Sequence, residues 1–333
     1  MTLSRRALLA TATASTLLPR RLAAQTAQFD AALDRARGLE QLHSLIVLQN
    51  GEVQIAERLR GPALDRPANI KSVSKTIVAT LTGIAIDKGV IADVTATIAN
   101  LAPDLLPRSA DPRAADITVE DLVTLRAGLE RTSGPNYGQW VSSPNWVANA
   151  LGRPIIAEPG TTMLYSTGST HILGAVLARA TGKTLLTLAR EWLGAPLSID
   201  IPAWTRDRQG FYLGGNEMAL SPRAMARFGD MIRQGGTWNG TRVVSQSWID
   251  RSFVPVTRSP WSGLGYGYGW FIGKASGHAY ALARGYGGQI IAVVPDLALS
   301  IAITSDPTRP ARSGGYFGDL QRLIEQDIIS ELV

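Results

Sequence analysis

Ser72-Val73-Ser74-Lys75 sets a hydroxyl and an amine three positions apart. If the stretch opens a helix, roughly 100° per residue leaves Ser72 and Lys75 about 60° apart on one face. Ala79 and Gly83 continue that face with small side chains, and Ile77, Leu81 and Ile84 lie opposite and can anchor it in a core. A neutral lysine one turn from a serine can take the hydroxyl proton and make it a nucleophile. That requires burial or nearby cations to pull the amine below its ordinary pKa of about 10.4. The Ser72 backbone N–H, at a helix start, is also placed to serve an oxyanion. The chain has only five lysines, Lys71, Lys75, Lys88, Lys183 and Lys274, so this pairing is not expected by chance. The plainer reading has Ser72 capping the helix and Lys75 in solvent, and the motif by itself supports both.

Two further motifs carry chemistry. Tyr165-Ser166-Thr167 follows Pro159-Gly160 and precedes an apolar run from His171. A tyrosine between a loop and a helix can face a cleft and relay protons, as an acid or, beside a cationic lysine, as a base. It can equally be a half-buried packing residue. Ala283-Arg284-Gly285-Tyr286-Gly287-Gly288-Gln289 lies between two strand-like runs. Its glycines let a ligand approach the backbone closely, or simply turn a hairpin.

The elements that must position these groups are readable. Ser44–Gln49, Asn50-Gly51 and Glu52–Arg58 form a hairpin pattern, with Asn-Gly the preferred type I′ pair. Helices are expected at Ser72–Lys88, stopped by Gly89; at Thr118–Arg126, capped by Thr118 and ended by Gly128; and at His171–Thr181, closed by Gly182. Another runs over Arg223–Gln234, with Ser221 as cap, Pro222 in the first turn and Gly235-Gly236 after it. Short apolar strands are expected at Gly267–Ile272, His278–Arg284, Gln289–Val294 and Leu297–Thr304. An amphipathic helix, Gly315–Leu332, closes the chain. Strands at both ends and helices between them give an α/β architecture of the α+β type. An antiparallel sheet is built from both chain ends and flanked by helices, with a mainly helical insertion. The sheet part covers about 25–85 and 265–333, and the helical part about 86–264.

Composition narrows the chemistry. The chain has 333 residues, ample for a sizeable core, and no cysteine, which excludes a disulfide scaffold, a thiolate metal site and a cysteine nucleophile. His43, His171 and His278 stand far apart without metal-ligand spacing, so no metal is expected. The formal charge of +6 owes four units to Arg5, Arg6, Arg20 and Arg21. Nucleic-acid binding loses its main support. Residues 1–24 read as an export signal. Arg5-Arg6 precede a mildly apolar run, Ala7–Leu18, too short for a span, and Leu22-Ala23-Ala24 offers small residues for cleavage. The pattern is that of a twin-arginine signal, which implies a periplasmic or secreted protein. No other stretch is apolar enough to span a membrane.

Taken together, Ser72-x-x-Lys75, Tyr165-Ser166-Thr167 and the glycine-rich strand approach resemble the penicillin-recognising serine hydrolases, which include class C β-lactamases, D-amino-acid peptidases and related esterases. The resemblance spans nearly all of residues 25–333. Ile117–Leu129 is similar to that family's T-x-x-x-L-L-T-x-x-S-G-L helix. Pro159–Gly182 resembles its P-G-x-x-x-x-Y-S-N segment, and Gly214-Gly215 before Ser221-Pro222-Arg223 matches its glycine pair beside the cleft. Tyr165-Ser166-Thr167-Gly168 and the final Gly-Gly-Gln look most like the branch of aminohexanoate-oligomer hydrolases and esterases.

The resemblance implies a β-lactamase/transpeptidase-like fold and a covalent acyl-enzyme on Ser72. Lys75 and Tyr165 act as the acid/base pair, and the backbone N–H groups of Ser72 and Tyr286 form the oxyanion hole. No cofactor is implied, and the partner is a small-molecule ester or amide. Thr167, Asn216, Arg284, Gly285, Tyr137 and Trp140 are candidate substrate contacts; Tyr137 and Trp140 fit core aromatics equally well. Two departures bear on substrate. Thr167 replaces the asparagine of the family's Tyr-x-Asn, and Ala283-Arg284-Gly285 replaces its Lys-Thr-Gly or His-x-Gly. Loss of that cation counts against a true β-lactamase or D-Ala peptidase unless Arg284 substitutes. A catalytically silent binding or sensor protein on this fold is the remaining alternative, and retention of serine, lysine and tyrosine together argues against it.

Overall fold

The computed structural model describes residues 29–311 and 315–333, so the expected export signal lies outside the described residues. Eight antiparallel strands form the main sheet: β1 (Leu42–Gln49), β2 (Glu52–Arg58), β3 (Thr257–Arg258), β4 (Gly265–Tyr266), β5 (Phe271–Ala275), β6 (His278–Gly285), β7 (Gln289–Val294) and β8 (Leu299–Ser305). Their spatial order is β2-β1-β8-β7-β6-β5-β4-β3. The β1–β2 hairpin turns on Asn50 and Gly51, at φ 53° and 81°, as a type I′ pair requires. β1 then pairs with β8, Val47 opposite Ile301, so the two ends of the chain share one sheet.

Every residue of β7 and β8 is buried, because both faces of the sheet are covered. One face, with Ile46, Ala281, Ala283, Ile291, Val293 and Ala302, packs in a core with helices α2 (Ser74–Asp87) and α4 (Pro222–Arg233). The other, with Leu45, Leu282, Ile290, Ala292 and Ile303, packs with α1 (Asp30–Gly38) and the C-terminal helix. Those strands alternate between the two cores residue by residue, as the pleat dictates.

Local chemistry sets the helix ends. Ser221 accepts from the Ala224 N–H at the start of α4. Thr118 forms a capping box with Asp121, but that helix stops at Val123, because Leu125 takes φ 60° before Gly128 is reached. Helix α3 spans Thr167–Thr181 and begins four residues before the expected His171. Its first N–H groups are capped by side chains from a distant loop. Thr167 N–H donates to Ser133 Oγ (2.8 Å) and Gly168 N–H to Thr132 Oγ1 (2.7 Å). No local pattern could signal such a cap.

Two other expectations need correction. The run Gly267–Ile272 is not one strand: residues 267–270 form a tight reversal between β4 and β5, with Gly269 at φ 79°. A Cβ on Gly267 would sit 2.1 Å from the Ser252 carbonyl oxygen, and one on Gly269 2.7 Å from the Ala79 Cβ. These glycines bring the strand ends onto their neighbours. The closing helix is α-helical only over α5 (Tyr316–Arg322); it widens to π geometry over Leu323–Ile329 and tightens over Ser330–Leu332. Among the described residues, no single helix is long and apolar enough to cross a membrane.

Candidate active site

Ser72 sits in a single 3₁₀ turn, Lys71–Val73, directly before α2. Lys71 is held at φ 51°, a left-handed conformation that costs a non-glycine residue energy. Three contacts fix it. Its N–H donates to Asn69 Oδ1 (2.9 Å), its carbonyl accepts from Ser74 Oγ (2.6 Å), and its ammonium pairs with Glu217 Oε1 at 3.0 Å. Beneath the turn lies Gly285, at the end of β6. A Cβ there would fall 2.4 Å from the Ile70 carbonyl oxygen and 3.1 Å from the Lys71 Cβ. Gly285 was expected to admit a ligand, but the backbone it admits is the protein's own, the turn that carries Ser72.

Lys75 is 3% exposed and makes three contacts through one nitrogen. Nζ lies 3.1 Å from Ser72 Oγ, 3.3 Å from Thr167 Oγ1 and 2.6 Å from the Gly215 carbonyl oxygen. No carboxylate is among these partners, so burial pulls its pKa down to about 7. Half-buried Tyr165 lies against it, with Nζ 4.9 Å from the ring centroid. Burial raises the Tyr165 pKa; a hydrogen bond with the Ser72 side chain and the charge of Arg284 partly oppose the rise. Near neutral pH the amine is therefore the group that gives up its proton, and the phenol keeps its own.

The hydrogens on Lys75 are constrained as well. The Gly215 carbonyl can only accept. Thr167 Oγ1 is also 3.0 Å from Ser133 Oγ and can donate to it. A neutral amine that donates to Gly215 and Thr167 has its lone pair left for Ser72. The α2 helix does not present an open face beyond this point: Ser74–Ala85 is buried on all sides. A Cβ on Gly83 would meet the Trp248 ring at 2.4 Å, and Ala79 lies against Gly269.

The remaining candidates divide. Asn216 and Tyr137 come together, Nδ2 donating to the phenol oxygen at 3.1 Å, and Asn216 directly follows the Gly215 carbonyl that holds Lys75. Trp140 is not a cleft residue. It is fully buried, packs with Trp146 and Leu213, and donates Nε1–H to the Trp146 carbonyl at 2.9 Å. Arg284 turns to the opposite face of the sheet from Ala283. Its neighbour Ala283 packs on the α2 side of the sheet, whereas the guanidinium lies over the rings of Phe271 (4.9 Å) and Phe317 (3.3 Å). Tyr286 is exposed just past β6, in a turn closed by Gly288 N–H donating to the Gly285 carbonyl (3.2 Å). Gln289 clamps that turn to β8 through both ends of its amide, to Ser305. The hairpin reading of these glycines and the close approach are thus both present.

Sequence reasoning missed Ser133, which touches both the N–H and the hydroxyl of Thr167. It also missed Trp261 and Phe271, which pack on the Tyr165 ring. The only available signal was Thr132-Ser133-Gly134 after the 117–129 segment, and nothing in it names a partner in α3. Among the described residues, no three His, Cys, Asp or Glu side chains converge as metal ligands would.

Comparison with known proteins adds the lineage. The family described as Beta-lactamase matches residues 43–324. The 6-aminohexanoate-dimer hydrolase of Paenarthrobacter ureafaciens is 27% identical over 278 residues, covering 78% of this chain and 70% of that protein. A D-stereospecific amidohydrolase from Streptomyces sp. superposes with TM-score 0.69 at 19% identity, covering 92% of this chain and 98% of its own. A family VIII carboxylesterase gives 0.67 at 20% identity, covering 89% and 97%. EstCE1, a hydrolase with promiscuous acyltransferase activity, gives 0.71 at 16%, covering 92% and 99%. At these identities the likeness of the structures is one of fold.

Proposed function

The chain belongs to the beta-lactamase family, and from that premise we propose that it is a serine hydrolase that cleaves small ester or amide substrates through an acyl-enzyme on Ser72. The observation that carries the reading is the placement of Ser72 Oγ between Lys75 Nζ at 3.1 Å and the Tyr165 phenol. Lys75, neutral above about pH 7, takes the Ser72 proton as Oγ bonds to the substrate carbonyl carbon. The N–H groups of Ser72 and Tyr286 receive the oxyanion. As the tetrahedral intermediate collapses, the carbonyl–leaving-group bond breaks. Tyr165 passes its proton to the departing oxygen or nitrogen and regains one from Lys75. Water then attacks the acyl carbon and gives its proton to the same pair; the acyl carbon–Oγ bond breaks, the pair returns that proton to Ser72 Oγ, and the acid is released. Thr167 stands where the family has an asparagine and keeps one contact of that amide, its bond to Lys75. Asn216 and Tyr137 are the polar pair that borders the substrate.

Esters and uncharged amides fit better than penicillins. Buried Ala283 supplies no ammonium, and Arg284 is held on two aromatic rings. A charge-assisted hydrogen bond to a ligand contributes roughly 1.5–3 kcal/mol, or about ten- to a hundredfold in binding. The relatives named above for a 6-aminohexanoate dimer, carboxylic esters and amides favour the same choice. In a panel of short-chain nitrophenyl esters, a linear amide, a D-Ala-D-Ala peptide and a chromogenic cephalosporin, the esters are expected to show the highest kcat/KM. A cephalosporin turned over faster than every ester would make the protein a β-lactamase, and silence across the panel with intact ligand binding would favour the sensor.

Export is part of the same proposal and rests on Arg5-Arg6 and the apolar run after them. Expressed with residues 1–24, the protein is expected in the periplasmic fraction, shortened at its N-terminus. Replacing both arginines by lysine should leave it unprocessed in the cytoplasm, and unchanged processing would remove the twin-arginine assignment.

A further inference from the structure

His171 and Asp207 form a wholly buried pair that the chemistry above does not use. Both side chains have 0% exposure, and Nε2 lies 3.2 Å from Asp207 Oδ2. Asp207 Oδ1 accepts from the Phe211 N–H at 2.8 Å. On the other side of the ring, His171 Nδ1 accepts from the Gly214 N–H at 3.4 Å. An accepting Nδ1 places the ring hydrogen on Nε2, where it is donated to the carboxylate. Trp140 and Trp146 meet the imidazole edge-on at 5.7 and 5.6 Å. Gly214 is pressed so close to α3 that a Cβ would fall 2.3 Å from the Thr170 carbonyl oxygen. The next residue, Gly215, gives Lys75 its shortest contact, 2.6 Å.

We propose that the His171–Asp207 pair is a positioning device for Lys75: it holds Gly214 through its N–H and thereby aims the Gly215 carbonyl at Nζ. The inference rests on the reading of Lys75 as the proton acceptor. Holding that carbonyl in place occupies one N–H of the neutral amine and turns the lone pair toward Ser72. His171 touches neither substrate nor Ser72 in this arrangement, so it is a positioning residue. The groups that face Lys75 directly are Ser72, Thr167, the Tyr165 ring and the Gly215 carbonyl. The charges nearby are Arg284, whose field reaches Tyr165, and the Lys71–Glu217 ion pair beside the Ser72 turn.

Two substitutions break the link at Gly214 while leaving Asp207 or its replacement a partner. His171→Gln keeps a donor where Nε2 was and removes the acceptor at Nδ1. Asp207→Asn can still accept from Phe211 N–H, but its amide hydrogens now face Nε2. The ring hydrogen moves to Nδ1, where it opposes the Gly214 N–H. Trp146→Phe is the control, because it loosens the same cluster without touching that bond. The measurement is kcat and KM for a nitrophenyl ester across pH, with a thermal melt of each variant.

The wild type should show an acid limb near pH 7 that Lys75→Ala removes. In His171→Gln and Asp207→Asn the limb should move to lower pH by about one unit, because the ammonium has lost an acceptor. Their kcat should fall about tenfold, the scale of one hydrogen bond, with KM little changed. Trp146→Phe should melt earlier and keep the wild-type limb. A limb unmoved in both polar variants, or moved equally by Trp146→Phe, overturns the positioning role. A wild type without the limb, or a Lys75→Ala enzyme that retains it, instead overturns the reading of Lys75.

Discussion

Ser72→Ala should hydrolyse no ester above background, a loss on the order of 10⁶-fold, the scale on which a serine hydrolase loses turnover when its nucleophile is removed. A fluorophosphonate should label the wild-type chain once, on the peptide that carries Ser72. The structure sharpens the expectation, because the nearby serines are engaged elsewhere. Ser74 is fully buried, its hydroxyl donating to the Lys71 carbonyl and accepting from Met218 N–H. Ser166 is 3% exposed, and its oxygen accepts from Thr132 N–H. Ser72 alone of the three is partly open and within reach of Lys75. The melting temperature of Ser72→Ala should stay near wild type, since its hydroxyl is no helix cap: the N-cap position of α2 is Val73. An adduct on Ser74 or Ser166, or an alanine variant with residual turnover, would move the nucleophile elsewhere.

Lys75→Ala and Tyr165→Phe should each slow turnover by about 10²–10⁴-fold, the range that general acid–base help supplies. Their pH signatures separate them. Burial holds the Lys75 pKa at about 7, so the amine is a base only above that pH, and wild-type kcat/KM should climb through pH 7 to a plateau. Tyr165→Phe keeps the lysine and should keep the climb at a lower level. Lysine burial also has a consequence for stability. Between about pH 7 and the ordinary lysine value of 10.5, the unfolded chain binds a proton at Lys75 that the folded chain has released. Stability therefore rises with pH across that window, relative to a Lys75→Met protein that has nothing to titrate there. Equal pH dependence of melting in the two proteins would mean that the lysine is not held in its lowered state. A Tyr165→Phe enzyme within a few-fold of wild type would leave the phenol a packing role.

Local rules read much of this fold. Asn50-Gly51, Ser221-Pro222 and Thr118 act through neighbours in sequence, and each turn or cap formed where its residues said it would. The strand β7 also has the expected bounds, since an unbroken apolar run between turn residues is how a doubly covered strand is written. Readings failed where the partner is remote. The start of α3 depends on Thr132 and Ser133, which cap it from another loop. The run from Gly267 looked like a strand because glycine there carries no sign of the helix it packs on. The site followed the same division. Ser72 and Lys75 are one helical turn apart and legible together. That Lys75 bonds to the Gly215 carbonyl, or that Arg284 rests on Phe271 and Phe317, depends on which face each strand turns inward. Trp140, for which the resemblance allows a cleft edge and a core aromatic fits equally well, is taken into the interior by its neighbours Trp146 and Leu213.

The pairing of β1 with β8 also sets a timetable. As the chain leaves the ribosome, the β1–β2 hairpin closes from local contacts, but the other edge of β1 waits for nearly the whole sequence to be made. Contacts of such long range make folding slow, and an open apolar edge in the meantime invites wrong partners. The turn bearing Ser72 is caught in the same delay, because its support is Gly285 at the end of β6. A nascent chain can carry the serine, the lysine and the tyrosine and still lack the surface that holds the serine in place. Any chemistry that needs Ser72 held in that turn therefore needs the sheet to be closed at least as far as β6.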